Sequence, residues 1–600
     1  MPSENTQENL LHATERLDQL AHMSLARINV GLSPVSLARA WTDWALNLAV
    51  SPGTQARLAT KAQVLGVAWL AESLRTAMPP LPTRATAGDG TELSTVEEVT
   101  PSLINDARFG HPAWSQWPWS VLATANKGWE KWWESAVELH GMETHSRDQV
   151  QFFTKQWLDM ISPDNFLLSN PQAIQKAANT QGQSLVTGWG HAVDEWRERH
   201  GLTPLHSTSI TMAPGRGLAT TPGQVVMRNE LIELIQYQPT TAQVHAEPVL
   251  IVPSCIMKFY ILDLSPHNSM VGWLLTQGHT VYMVSWRNPD QNDALLTLDD
   301  YVRKGVLEAL DHVHAAVGKP VHLAGYCLGG TLASIAAAAL SAQQSPLADP
   351  TPLASLTLMA AETDFSEPGE MGVLIDRAQV ETLEHMMLEQ GFLSGRQMAG
   401  SFQFLHSREL VWSQRTRSVL LGEPPFSNDL MAWNADVTRL PAVMHTQYLR
   451  RMYLDNDLAE GRYQFEGQAV VLHSITAPVF VVGTVKDHVS PWRSVFKIHQ
   501  LVDAEVTFVL TNGGHNAGIV SEPGHAGRHY QMQTTARTHK RPVADEWVAT
   551  VAHCEGSWWD AWSGWLRGHG SGEVTDARQP PVDSTLGAAP GQYVMLRHGD

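Results

Sequence analysis

The chain has 600 residues, 43% of them hydrophobic and 17% charged, with a formal net charge of −19 and a pI of about 5.8. That length exceeds one ordinary core and implies two domains. The acidic balance excludes a general nucleic-acid binder and a basic membrane-surface protein, and any anionic ligand would need a local basic pocket.

In chain order, Met1-Pro2-Ser3-Glu4-Asn5-Thr6-Gln7-Glu8 has neither a basic nor an apolar leader segment, so no secretory signal is read. No apolar run reaches bilayer length. Residues 8–77 carry leucine and alanine at helical spacing. Pro79-Pro80-Leu81-Pro82 and Ala87-Gly88-Asp89-Gly90 predict a linker over 78–100. Residues 103–200 are tryptophan-rich and helical in pattern. Residues 1–205 therefore read as a mainly helical N-terminal domain, with 1–77 as a helical extension and His206-Ser207-Thr208-Ser209 as the boundary.

From 206 onward strands alternate with helices. Val249–Val252 and Thr280–Trp286 predict buried strands. Leu298–Val317 predicts a helix with Val302, Val306, Leu310 and Val313 on one face. Val321-His322-Leu323-Ala324 predicts the next strand, and Thr331–Ala339 a helix of small residues. Ala354–Met359 is again a strand pattern. Residues 364–475 break the alternation and read as a cap insertion, after which Val479–Val482 and Val506–Leu510 resume it. Such alternation predicts a mainly parallel sheet covered on both faces, with the insertion as a lid at its carboxyl side. Trp558, Trp559, Trp562 and Trp565 read as core packing, with contact to an apolar product as the alternative. The catalytic domain spans 206–570, and the polar stretch 571–600 reads as a loosely ordered tail.

The most informative segment is Gly325-Tyr326-Cys327-Leu328-Gly329-Gly330. A strand enters it and a helix leaves it, the context of a nucleophile elbow with a thiol in place of the usual serine. Glycines two residues to either side allow the tight turn. The helix N-terminus favours thiolate and can hold an oxyanion. Asp487 and His515 each follow a later strand, so the order nucleophile, acid, histidine is that of the α/β-hydrolase fold. His515 would take the proton of Cys327, and Asp487 would fix the imidazole tautomer. Oxyanion donors would be the N–H of Leu328 and a second one near Cys255 or Ile256. His488 is read as a supporting partner beside the acid. Asp364 and Asp436 are weaker rivals to Asp487, since neither follows a strand in the expected place. No metal site is read. The chain's three cysteines, Cys255, Cys327 and Cys554, form no disulfide framework and fit a reducing compartment.

Further segments extend the picture. Asp106-Ala107-Arg108-Phe109, Ser162-Pro163-Asp164-Asn165-Phe166, Thr221–Val226, Arg228–Tyr237, Lys258–Leu264, Ser285-Trp286-Arg287-Asn288-Pro289, Trp433-Asn434-Ala435-Asp436 and Tyr448-Leu449-Arg450 together resemble the class I polyhydroxyalkanoate synthases over about residues 100–565. The resemblance implies polymerisation of (R)-3-hydroxyacyl-CoA, 3-hydroxybutyryl-CoA foremost, with release of CoA. Cys327 would carry the growing polyester, with Asp487 and His515 beside it and no separate cofactor. It also implies a cytoplasmic homodimer on the surface of its own polymer granule. CoA phosphates call for basic residues, for which Arg528, Arg537, Lys540 and Arg541 are the candidates, with His539, Arg287 and Lys258 as others. Pro253-Ser254-Cys255-Ile256-Met257-Lys258 departs from the family, which often has proline and asparagine where Ser254 and Met257 stand. The rival enzyme reading is a cysteine α/β-hydrolase, a thioesterase or a dienelactone-hydrolase-like protein. A granule-coating protein without catalysis is the other rival, and the full set Cys327, Asp487 and His515 speaks against it.

Overall fold

The computed structural model describes residues 21, 24, 31–77, 106–200, 202–206, 212–343, 352–405, 407–424 and 428–596. The expected linker 78–100, most of the extension before residue 31, Ser207-Thr208-Ser209 and residues 597–600 lie outside the described residues. Two compact units emerge. One comprises Ser33–Ser209 with Gly400–Phe426; the other comprises Met1–Leu32, Ile210–Ala399 and Ser427–Asp600. Part of the sequence-read cap, 400–426, thus groups with the helical unit.

The helical unit contains helices Pro34–Ala49, Pro52–Ala77, Trp119–Val137, Thr144–Met160, Pro171–Asn179 and Gln183–Arg199. Two of them start as their sequences dictate. Ser33 and Asn170 cap first-turn amides, each followed by a proline whose missing N–H costs nothing there. Ala40, Val137 and Val150 form a small core roofed by Trp41, Trp44 and Trp133. The Asp106-Ala107-Arg108-Phe109 segment is the electrostatic node of this unit. Asp106 accepts from Arg108 at 2.7 Å, Lys127 at 2.9 Å and Arg408 at 2.8 Å, and Arg108 also pairs with Glu130 at 2.7 Å. Burial opposes the Asp106 charge, yet these cations hold its carboxyl well below the usual range.

The second unit is built on a ten-stranded sheet. Its strands are β1 (Gly223–Arg228), β2 (Ile232–Tyr237), β3 (Val249–Val252), β4 (Val281–Trp286), β5 (Val321–Tyr326), β6 (Leu353–Met359), β7 (Val479–Thr484), β8 (Val506–Thr511), β9 (His529–Thr535) and β10 (His553–Glu555). They lie in the order β1-β2-β4-β3-β5-β6-β7-β8-β9-β10. The pairs from β4 to β8 are parallel; β1, β2, β9 and β10 pair antiparallel at the edges. Strands β3, β4, β5, β7 and β8 are buried at every position. That is the environment of a sheet covered on both faces, and it explains their unbroken apolar runs. The strand order and the elbow after β5 establish the α/β-hydrolase architecture expected from the sequence.

Three further features bear on the site. First, the segment after Asn428 clamps the loop that follows β3. Trp433 Nε1 donates to the Lys258 carbonyl at 2.8 Å, and Thr438 Oγ1 donates to the carbonyls of Cys255 and Ile256 at 2.7 and 2.6 Å. Second, Trp558, Trp559 and Trp562 are fully buried on helix Trp558–Gly568, in agreement with the core reading. Their indole N–H groups donate to Gly518 O, Ile519 O and Thr357 Oγ1. Third, residues 571–596 are not loose. Val574–Asp576 pairs antiparallel with Gln243–His245, and residues 586–596 run back along β1 and β2. Glu233, fully buried on β2, draws them in: its carboxylate accepts from Gln592 N at 2.9 Å and Tyr593 N at 3.0 Å, and pairs with Arg228 at 2.5 Å. A polar composition suggested looseness; a buried charge needing donors supplies the order. No described helix is long and apolar enough to cross a membrane.

Candidate active site

Cys327 sits at the carboxyl end of β5 with φ at +54°, a left-handed conformation for a residue with a side chain. The bend persists because its surroundings fix it. Cys327 N donates to Met359 O at 2.9 Å, and Gly330 N to Cys327 O at 2.8 Å. The neighbouring glycines leave no room. A Cβ on Gly325 would lie 2.3 Å from Gly330 Cα, and one on Gly329 would lie 2.2 Å from Val252 O and 2.4 Å from Pro253 O. These are backbone atoms that cannot swing away. Gly329→Ala is therefore expected to destabilise the catalytic unit by about 3 kcal/mol or more, read as a lowered midpoint in urea unfolding; an unchanged midpoint would show that the packing there is slack.

His515 follows β8 and Asp487 follows β7, so all three groups lie at the carboxyl ends of the parallel strands β5, β7 and β8. His515 Nδ1 lies 2.8 Å from Asp487 Oδ2, with the Asp487 side chain fully buried and that of His515 14% exposed. Asp487 Oδ1 accepts from Val489 N at 2.9 Å and Ser490 N at 2.8 Å, which fixes the carboxylate. The network points the Nδ1 proton toward Asp487, and the Cys327 sulfur lies close enough to act on the charge of the ring. Burial alone would drive the proton off the imidazole. Asp487 and the Cys327 sulfur outweigh it and hold His515 well above its ordinary value. Tyr326 packs on the His515 ring at 5.6 Å and donates to Asn516 Oδ1 at 2.6 Å, which steadies the histidine loop.

Leu328 begins helix Leu328–Gln343 and so lends a first-turn amide beside the sulfur. The second proposed donor is occupied: Ile256 N donates to Ser254 Oγ at 3.3 Å. This long bond exists because a serine stands at 254. Cys255 is buried, and burial followed by the nearby Cys327 pushes its thiol up. It is therefore a poor nucleophile.

The other sequence candidates separate by position. His488 is half exposed and faces Glu370 at 3.7 Å. Arg528 stays at the catalytic end, where a Cβ on Gly513 would meet its Nη1 at 3.1 Å. The structure does not bring Arg537, Lys540 or Arg541 to the site. Strand β9 runs antiparallel to β8 and carries them about 20 Å toward the opposite end of the sheet. There Arg537 pairs with Asp503 at 2.5 Å and Arg541 donates to Val502 O at 2.8 Å. Lys258 and Arg287 are also engaged, the first with Leu596 O at 2.6 Å, the second with Asp293 at 2.5 Å. Among the weaker acids, Asp436 accepts from Tyr260 and Asp364 from Ser366.

Sequence reasoning missed Glu362, Tyr448 and Tyr453 as neighbours of Cys327. All three lie close enough for the sulfur to act on their protonation. Tyr448 and Tyr453 pack edge-on with ring centres 5.4 Å apart, and both contact Phe365. The position of Glu362 just beyond a strand adjacent to β5 was the available signal.

Comparisons with known proteins agree with this architecture. Residues 105–274 match the family model for the poly-beta-hydroxybutyrate polymerase (PhaC) N-terminus, and residues 12–54 match a second N-terminal model of the same polymerase. Residues 248–522 match the alpha/beta hydrolase fold. A poly(3-hydroxyalkanoate) polymerase of Methylorubrum extorquens is 35% identical over 507 residues, covering 84% of this chain and 82% of that protein. The polymerase subunits of Rhizobium meliloti and Cupriavidus necator are 34% and 33% identical, covering 84% and 82% of this chain and 81% and 84% of those proteins.

Proposed function

The chain belongs to the poly(3-hydroxyalkanoate) polymerase family, and from that membership we propose that it builds a polyester from (R)-3-hydroxyacyl-CoA through a thioester on Cys327. The enzyme is an acyltransferase. The observation that carries the reading is a thiol at a left-handed elbow, with an imidazole on a nearby strand-end loop that a buried carboxylate orients.

The steps follow from the residues. His515 carries the proton of Cys327, so the sulfur attacks the thioester carbonyl as the thiolate. The oxyanion is held by Leu328 N–H and an N–H of the 254–256 loop, the latter after exchange with Ser254 Oγ. The carbon–sulfur bond to CoA breaks and CoA leaves with the proton from His515. One thioester has replaced another, so little free energy is lost. The hydroxyl of a second acyl chain then gives its proton to His515 and attacks the Cys327 thioester; an ester bond forms and the thiol is regenerated. That step is downhill. CoA enters as part of the substrate and leaves as a product, so the chemistry calls for no other cofactor. The Asn428–Pro441 clamp over the β3 loop and the cluster of partly buried Tyr448 and Tyr453 on buried Phe365 favour exclusion of water, which would otherwise hydrolyse the chain. Arg528 is the basic group best placed for CoA phosphate. The reading extends to a cytoplasmic homodimer on the granule surface.

The test uses the purified chain with 3-hydroxybutyryl-CoA. We expect CoA release accompanied by insoluble polymer. CoA release that leaves only soluble 3-hydroxybutyrate would make the protein a thioesterase and overturn the polymerase reading.

A further inference from the structure

Thr438 is a buried residue that the steps above do not use. It lies on the segment after Asn428, and its side chain reaches the loop that follows β3. That loop, residues 253–258, begins against the elbow: a Cβ on Gly329 would lie 2.2 Å from Val252 O and 2.4 Å from Pro253 O. Its carbonyls are held one by one from other elements. Trp286 Nε1, on β4, donates to Pro253 O at 2.9 Å, and Trp433 Nε1 donates to Lys258 O at 2.8 Å. Between them, Thr438 Oγ1 lies 2.7 Å from Cys255 O and 2.6 Å from Ile256 O, one hydroxyl proton serving two carbonyls. Thr438 N adds a bond to Ile256 O at 3.3 Å, and Met257 forms a β-bridge with Val437.

The direction of these bonds has a chemical consequence. In a planar trans peptide, as between Cys255 and Ile256, the C=O and the N–H point in opposite directions. The Cys255 carbonyl is turned to Thr438, so the N–H of the same peptide unit, that of Ile256, points away from Thr438. There it meets Ser254 Oγ at 3.3 Å. Turning this amide elsewhere would require the peptide to flip, which breaks the bond to Cys255 O. Handing the N–H from Ser254 to an oxyanion requires only that one side chain rotate. Thr438 thus holds the candidate oxyanion donor in place through the backbone, by a bond on the far side of its peptide.

We propose that Thr438 is a positioning residue for acyl transfer: its hydroxyl sets the direction of the Ile256 N–H, the second donor to the oxyanion, and so makes the oxyanion site depend on the segment after Asn428. That role presupposes the acyltransfer reading above, in which the N–H receives the oxyanion. Among the described residues no other group donates to Cys255 O. Without the hydroxyl this carbonyl is buried with no donor, a penalty that a flip of the peptide relieves while turning the N–H away.

Thr438→Val keeps the branched shape and removes the O–H; Thr438→Ser keeps the O–H. The experiment compares two reactions of Cys327 on the full chain. One is first-turnover CoA release from 3-hydroxybutyryl-CoA by rapid mixing, followed against substrate concentration. The other is alkylation of Cys327 by iodoacetamide, quantified by peptide mass spectrometry; it consumes the thiolate at a saturated carbon and develops no oxyanion. The valine variant should lower the maximal rate of CoA release by about 10- to 100-fold, approaching the loss of one oxyanion donor. Its half-saturating concentration and its alkylation rate should stay within about threefold of wild type, as expected when only a transition-state contact is lost. The serine variant should stay within about threefold of wild type in every measure. Should the valine variant not fold, Thr438→Ala takes its place with the same expectation. Equal losses in CoA release and alkylation would reveal general damage to the elbow and overturn the assignment. So would a valine variant that releases CoA at the wild-type rate, an effect confined to the half-saturating concentration, or a serine variant as slow as the valine one. A wild type that is alkylated at Cys327 yet releases no CoA would instead overturn the acyltransfer reading, on which the inference rests.

Discussion

Cys327→Ala should lower CoA release from 3-hydroxybutyryl-CoA by on the order of 10⁴–10⁶ and abolish polymer formation, as removal of a nucleophile that acts in concert with its base does. The variant isolates chemistry from folding. Alanine keeps the Cβ, so the left-handed bend at 327 is no more strained than before, and the surrounding glycines still fit. Its unfolding midpoint should therefore remain within about 1 kcal/mol of wild type. Cys327→Ser is more informative about why a thiol is used. A serine ester is lower in energy than the thioester it replaces, so any acyl group that reaches the hydroxyl should stay there. The expected result is at most one CoA per site, an acylated protein by mass spectrometry, and no polymer. Wild-type rates of CoA release in the alanine variant would place the chemistry elsewhere in the molecule.

Asp487→Asn should cost about 10⁴ in the same assay, because an amide at 487 can stabilise the wrong imidazole tautomer. Here the electrostatics also predict a stability effect with a definite sign. The folded protein raises the affinity of His515 for its proton, with Asp487 and Cys327 overcoming burial. A group raised in the folded state adds stability that is fully present below its unfolded value. That stability is lost as the pH rises through the folded value. The destabilisation caused by Asp487→Asn should thus be larger near pH 6 than at a pH above the raised value of His515. The oxygen that accepts from Val489 N and Ser490 N survives as the asparagine carbonyl oxygen, so these contacts do not mask the pH-dependent part. Thermal unfolding of both proteins across that range measures the difference, and an effect that grows toward alkaline pH would contradict the assigned role of Asp487.

Much of this was legible in the chain itself. The strand–elbow–helix at Cys327 and the two acceptor loops at Asp487 and His515 could be read because α/β-hydrolase chemistry sits at strand ends, and strand ends are visible as apolar runs closed by glycine. Three of the four tryptophans after residue 557, Trp558, Trp559 and Trp562, were legible as core because of their spacing. Other features depend on what lies opposite a residue, which periodicity does not encode. Arg537, Lys540 and Arg541 looked close to the site by sequence distance; one antiparallel strand, β9, takes them to the far end and leaves Arg528 behind. Glu362 was passed over beside Asp364: both follow the same strand, and a linear pattern does not say which of the two is the more deeply buried. Residues 571–596 looked solvated by composition, and only the buried Glu233 reveals why they are held.

That last arrangement constrains how the protein is made. Strands β1 and β2 are synthesised among the first of the catalytic unit, yet Glu233 stays short of partners until residues 592 and 593 arrive, 359 and 360 positions later. A polypeptide not yet extended to residue 593 cannot seal this margin of the sheet. Until then the Glu233 side chain has Arg228 and solvent as its partners. Maturation of the unit is thereby coupled to translation of its closing segment.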